Sequence, residues 1–201
     1  MKKYIHYFIW ASFVLTFLSS CQKSINIDDQ VSNQPDARNV AFVTFLRPYQ
    51  YGSAVNYELW DSHSFLGEIT GFSYCHLKIS PGKHNFLLRE ENWKYLGPSK
   101  DEYWSCIEAD LEPGKRYIII MRSIMGMRGI VSLDPVTPVD GIPKETITRW
   151  IENLDEIIFS SSKNQIYSKS NSDHLEQAIK NAHLGKIVCR KMKRADWFEA
   201  L

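Results

Sequence analysis

The chain has 201 residues, carries 24 basic against 23 acidic side chains, and is 13% aromatic. A formal charge of +1 gives no footing for a nucleic-acid binder, and the length suits one domain with its own core, or one domain plus a small appendage. No C-x-x-C occurs among the four cysteines, so nothing supports a thioredoxin-like redox site.

The first element is a leader. Lys2 and Lys3 give a positive start, and Tyr4 to Leu18 is almost wholly apolar. As a helix this run of about fifteen residues spans roughly 22 Å, short of the roughly 30 Å of a bilayer core. It has the length of a secretory h-region. Ser19 and Ser20 are small, as a cleavage site requires, and Cys21 follows at once. Leu18-Ser19-Ser20-Cys21 resembles the lipobox of bacterial lipoproteins. That resemblance implies cleavage before Cys21, a diacylglycerol on its thiol and an acylated (palmitate-type) amino end. Two or three acyl chains hold a protein on a membrane far better than one. Gln22 is not the Asp that marks inner-membrane retention in some bacteria, so the implied address is the cell outer membrane, facing the periplasm or the surface. Loss of Lys2 and Lys3 with the leader tips the net charge slightly acidic.

Residues 21–39 are polar and aperiodic after Cys21 and are expected to be a lipidated flexible tether, with a typical end-to-end distance of about 23 Å. From Val40 the texture is that of strands. VAFVTFL (40–46) is a buried-strand run, followed by a loop over 47–53. Val55–Trp60 and Ser64–Ile69 flank Asp61-Ser62-His63, a hairpin turn. Phe72–Ile79 alternates, with Cys75, Leu77 and Ile79 on one side and Tyr74, His76 and Lys78 on the other. His84–Glu91, Trp104–Leu111, Arg116–Ser123 and Gly126–Leu133 complete seven or eight short strands at roughly ten-residue spacing. Ser80-Pro81-Gly82-Lys83 and Glu112-Pro113-Gly114-Lys115 are turns of one chemistry. Pro presets one angle and Gly supplies a positive φ. The predicted fold is mainly β: an antiparallel β-sandwich, Ig-like or related, over residues 40–137.

After Pro143 the period turns helical. Ile147, Trp150, Ile151, Leu154, Ile157 and Ile158 make one apolar stripe. Ser172 or Asp173 caps a second helix through Leu175, Ala178, Ile179 and Ala182, with Gly185 at its end. Lys186 to Leu201 is basic, then aromatic at Trp197 and Phe198. Residues 138–201 are thus expected to be a helical C-terminal extension whose stripes pack on the sandwich.

With the strands in place, Arg47-Pro48, Val55 to Trp60, Leu66-Gly67-Glu68, Ser73-Tyr74, Pro81-Gly82 with His84, and Pro113-Gly114-Lys115 with Tyr117 follow in order. This pattern resembles the bacterial lipoprotein domain family DUF2846 over residues 38 to 135. The family usually has an aromatic where this chain has Cys75. The resemblance implies a sandwich-like fold and an envelope address, and it carries no catalytic residue.

Candidates for chemistry are sparse. His63, His76 and His84, with Asp61 or Glu68, are the residues for a metal or a base, but no H-E-x-x-H, H-x-H or ligand-spaced Cys/His pair occurs. No G-x-S-x-G is present, and Gly126-Met127-Arg128-Gly129 lacks the Lys-Ser/Thr of a phosphate loop. The expectation is therefore no catalytic, metal or cofactor site. With Cys21 lipidated, Cys75, Cys106 and Cys189 allow one internal disulfide at most. Cys75–Cys106 is a possible bridge, burial as small apolar side chains the alternative. Lys186, Arg190, Lys191, Lys193 and Arg194 suit anionic head groups or peptidoglycan carboxylates, or simply a solvated face. Tyr49, Tyr51, Tyr57, Trp93, Tyr95, Tyr103 and Trp104 suit glycan or protein binding, or core packing. The functional expectation is a membrane-anchored envelope lipoprotein, a non-catalytic binding or structural module for a protein or cell-wall component. The alternatives are an envelope enzyme, such as a hydrolase acting through His76 or His84, and a small-ligand or lipid carrier.

Overall fold

A computed structural model describes residues 39–49, 55–62, 64–90, 104–123, 131–137, 141–160, 164, 167–169 and 171–197. Cys21, the leader, nearly all of the tether, His63 and the 124–130 segment lie outside the described residues. Eight strands come first: β1 (Ala41–Arg47), β2 (Tyr57–Asp61), β3 (Ser64–Ile69), β4 (Ser73–Ile79), β5 (Gly82–Glu90), β6 (Trp104–Leu111), β7 (Arg116–Ser123) and β8 (Val131–Val136). Then follow α1 (Lys144–Asn153), β9 (Asp155–Glu156), α2 (Ser172–His183) and β10 (Cys189–Met192). The protein is mostly β, as two five-stranded sheets. One, called here the first sheet, runs β8-β7-β1-β4-β9; the second runs β10-β6-β5-β2-β3.

The sheets face each other across a shared core. Alternation puts Val43 and Phe45 of β1, Cys75 of β4, Ile119 of β7, Phe86 and Leu88 of β5, and Ile107 of β6 into one buried cluster. The Phe45 and Phe86 rings meet edge to face at 5.2 Å, joining the two sheets. Part of each outer face is apolar too, where a helix covers it. On the first sheet Leu46, Tyr74, Ile118 and Ile120 pack against Ile147 and Ile151 of α1. On the second, Trp60, Phe65 and Leu87 pack against Leu175 and Ala178 of α2. The result is four layers, helix–sheet–sheet–helix. It explains why β7 reads RYIIIMRS, a continuous apolar run: a strand buried on both faces has no polar side to alternate with.

The sandwich is mixed rather than antiparallel. β1 runs parallel to β7, β9 to β4, and β10 to β6. Two of these three pairs come from the segment expected to be purely helical. The stripe predicted to run through Ile158 stops at Leu154, whose φ −101° and ψ 152° are extended. Asp155 and Glu156 then pair with the open edge of β4, where Asp155 N donates to Phe72 O (3.0 Å) and Ile157 N to Tyr74 O (2.8 Å). An unpaired sheet edge plus the β-branched Ile157 and Ile158 outweighs continued helix. Ile157 reaches the inter-sheet cluster, whereas Ile158 stands 86% exposed. Within 138–201, Asp155–Glu156 and Cys189–Met192 therefore add edge strands to the two sheets.

Two local predictions correspond to single backbone features. Gly82 and Gly114, the glycines of the two Pro-Gly-Lys turns, have φ of 123° and 73°. Arg47, first in the motif series, is a buried staple. Its Nη1 donates to Val55 O (2.6 Å) and Ile69 O (3.2 Å), and its guanidinium lies 4.6 Å from the Tyr57 ring centroid. It ties the end of β1 to the chain before β2 and the end of β3.

Candidate functional site

The disulfide differs from the expected one. Cys106 bonds Cys189, and Cys75 is free and buried. The physical reason is facing. Ile107 and Ala109 of β6 point into the inter-sheet core, so Cys106 points outward, whereas Cys75 points into the core from the other sheet. A Cys75–Cys106 bridge would have to pass through the second sheet. Cys189 of β10 sits directly beside Cys106 in register, so the bridge locks the edge strand onto β6.

The histidines do not cluster. His84 Nδ1 pairs with Asp61 Oδ2 (2.9 Å) and its Nε2 with Ser80 O (2.7 Å), while the ring stacks on Phe86. Both nitrogens are thus occupied by acceptors that hold the turn into β5. His76 lies on the other sheet, with Nδ1 at 2.7 Å from Thr44 Oγ1 and its ring edge-on to Tyr74 at 5.0 Å. Desolvation holds the His76 pKa below the ordinary histidine value, Glu156 opposes this, and Arg116 adds to it. Among the described residues no group of three His, Cys, Asp or Glu side chains is placed to hold a metal ion. No helix among them is long and apolar enough to cross a membrane.

Polar chemistry is also buried under α2. Arg89 Nε donates to Glu58 Oε2 (2.8 Å), and Tyr167 O–H donates to Glu58 Oε1 (2.5 Å). The Arg89 guanidinium lies 5.1 Å from the Trp104 ring centroid. Glu58 and Arg89 are almost fully buried, so this is a lock between β2, β5 and the α2 layer. Burial and the Glu58 carboxylate both push the Tyr167 pKa well up. Of the aromatics expected to suit recognition, Trp104 lies against Arg89 and Tyr57 packs against Arg47 in the inter-sheet core, whereas Tyr51, Trp93, Tyr95 and Tyr103 lie outside the described residues.

The surface that gathers most cations and rings is the end of the sandwich where the chain enters it. Gly114 N donates to Val40 O (2.7 Å) and Phe42 N to Lys115 O (2.9 Å), which pins the entering chain to the turn before β7. On the outer face of the first sheet, register sets Phe42 between Lys78 and Arg116 in one cross-strand row. The next row is His76, Thr44 and Ile118; α1 covers the row after that, Tyr74, Leu46 and Ile120. The Arg116 guanidinium lies 6.0 Å from the Phe42 ring.

The tail returns to this same end. Lys115 Nζ lies 3.4 Å from the Trp197 ring centroid, and Arg194 Nε pairs with Asp110 Oδ2 at 2.9 Å. Tyr117 O–H accepts from Glu112 N and donates to Arg194 O. Of the predicted basic run, Arg190 bridges to Asp134 and Arg194 to Asp110, while Lys186, Lys191 and Lys193 stand exposed on the surface. Sequence reasoning noted Trp197 and the Lys115 turn separately. Nothing local says that residues so far apart meet.

No protein-family model matches the chain, and no curated protein matches it in sequence. The DUF2846 resemblance therefore rests on the turn and strand motifs alone.

Proposed function

We propose that the chain is an envelope lipoprotein, cleaved before Cys21 and acylated there, whose DUF2846-like sandwich is a non-catalytic binding module. Its address is the outer membrane, and its partner is an envelope protein or a cell-wall component. The observation that carries this reading is the Cys106–Cys189 disulfide. Such bonds persist in oxidising compartments outside the cytosol, the destination that Leu18-Ser19-Ser20-Cys21 encodes.

A carrier needs space between the sheets, and there the described side chains pack on one another as a single buried cluster. The hydrolase reading has two separate contacts in its favour, the Thr44–His76 pair and the His84–Asp61 pair, on different sheets. The discriminating experiment is cross-linking in intact envelopes followed by capture, with Cys21→Ser as control. One dominant protein, or muropeptides, lost in the control, is the expected result. Capture of nothing, together with a His76→Gln variant that folds but fails to complement a deletion strain, would overturn the binding reading in favour of catalysis.

A further inference from the structure

We infer that the entry end of the sandwich is a docking face for anionic lipid head groups, and that the domain rests on the bilayer that holds its acyl chains. The inference relies on the anchored reading above and assigns this end to the membrane, which leaves the protein or cell-wall partner to another face.

Four observations converge. The chain emerging from the tether joins the fold at Val40, pinned to the Glu112–Lys115 turn, so this end is tethered nearest the anchor. Lys78, Lys83, Lys115, Arg116 and Lys193 surround it, and Lys78, Lys83 and Lys193 are exposed. Of the acids there, Asp110 pairs with Arg194 and Asp61 with His84, while Asp196 accepts from the Lys193 backbone N–H and Glu112 lies in the turn itself, so the five cations outnumber the carboxylates that remain. Phe42 and Trp197 each lie beside a cation, the pairing of ring and charge that suits a head-group interface. If the eighteen residues between Cys21 and Val40 are the flexible chain expected from sequence, their typical end-to-end distance would be about 23 Å, so the local lipid concentration at this end would be high and weak contacts would suffice.

The test uses the lipidated protein purified from envelopes and inserted into preformed phosphatidylcholine vesicles with or without phosphatidylglycerol. Lysine acylation is then read peptide by peptide. Each cation at an anionic surface strengthens binding about fivefold. The expected result is protection of Lys78, Lys83 and Lys193 by about fivefold or more with phosphatidylglycerol, and unchanged reactivity of Lys169 and Lys180 on the α2 side. The protection should vanish at about 1 M salt, where the Debye length is about 3 Å, and in a Lys78→Glu/Arg116→Glu variant. Anchoring with equal lysine reactivity in both lipids would overturn the docking face and leave the anchor standing. Failure to partition into either vesicle would overturn the anchored reading and this inference with it. Protection by soluble muropeptides but not by phosphatidylglycerol would overturn it as well, and would assign the surface to the cell wall.

Discussion

Single residues decide which parts of this fold are inert and which are held under tension by chemistry. Burial pushes the Cys75 thiol up to about 12, so its thiolate is scarce at neutral pH. Native protein is expected to leave Cys75 unlabelled by iodoacetamide. Denatured, unreduced protein should label Cys75 alone among the three cysteines after Cys21, as peptide mapping would show. Glu58 and Arg89 form a second such site. Arg89→Met leaves a buried carboxylate without its cation and should cost about 3–5 kcal/mol in urea unfolding, whereas Glu58→Leu with Arg89→Met should recover most of it. In the sequence both are charged residues within strands, with nothing to mark them as buried. Their burial depends on α2, which arrives more than eighty residues later, so no local pattern marks them. Cys106 is a half-legible case. Its outward facing follows from the apolar Ile107 and Ala109 beside it, but its partner lies 83 residues away on a strand with no strand-like sequence.

At the scale of elements, seven strands were legible because turn chemistry punctuates them, whereas the last, expected over Gly126–Leu133, runs Val131–Val136. Ser64–Ile69, Trp104–Leu111 and Arg116–Ser123 match the observed bounds. The helices were legible from their stripes, and Ile147 and Ile151 are buried as predicted. Ile147→Ala should cost about 2–5 kcal/mol, since α1 is the cover of the first sheet's outer face. The two late strands were not legible. Asp155–Glu156 and Cys189–Met192 are two and four residues of mostly charged character. They exist because β4 and β6 would otherwise present open edges, which is a property of the assembled sheets. Cys106→Ser with Cys189→Ser should release β10 and lower stability by about 2–5 kcal/mol. The same loss should follow reduction of the wild type, measured by denaturant titration with and without reductant.

The whole molecule is a four-layer unit in which late segments close what early strands begin, so its stability has a pH window set by groups from both. His76 has a pKa lowered by desolvation, so the unfolded chain binds the proton more tightly. Stability is then full above the ordinary histidine value, about 6.5, and falls as pH drops through the folded value. Tyr74, Tyr117 and Tyr167 have raised pKa values, chiefly through burial. Here the folded state holds the proton longer, so stability falls as pH rises above about 10. Urea midpoints across pH should trace this plateau. His76→Gln should ease its acid limb only slightly, because His76 is exposed, and Tyr167→Phe should soften the alkaline limb that the buried Cys75 thiol shares.

The address of the molecule is the claim on which its function depends, and intact-mass analysis of the protein extracted from membranes tests it most directly. The expected species begins at Cys21, carries a diacylglyceryl group and an acylated amino end, and has one disulfide. A chain that retains residues 1–20, or one cleaved there without lipid, would contradict the account.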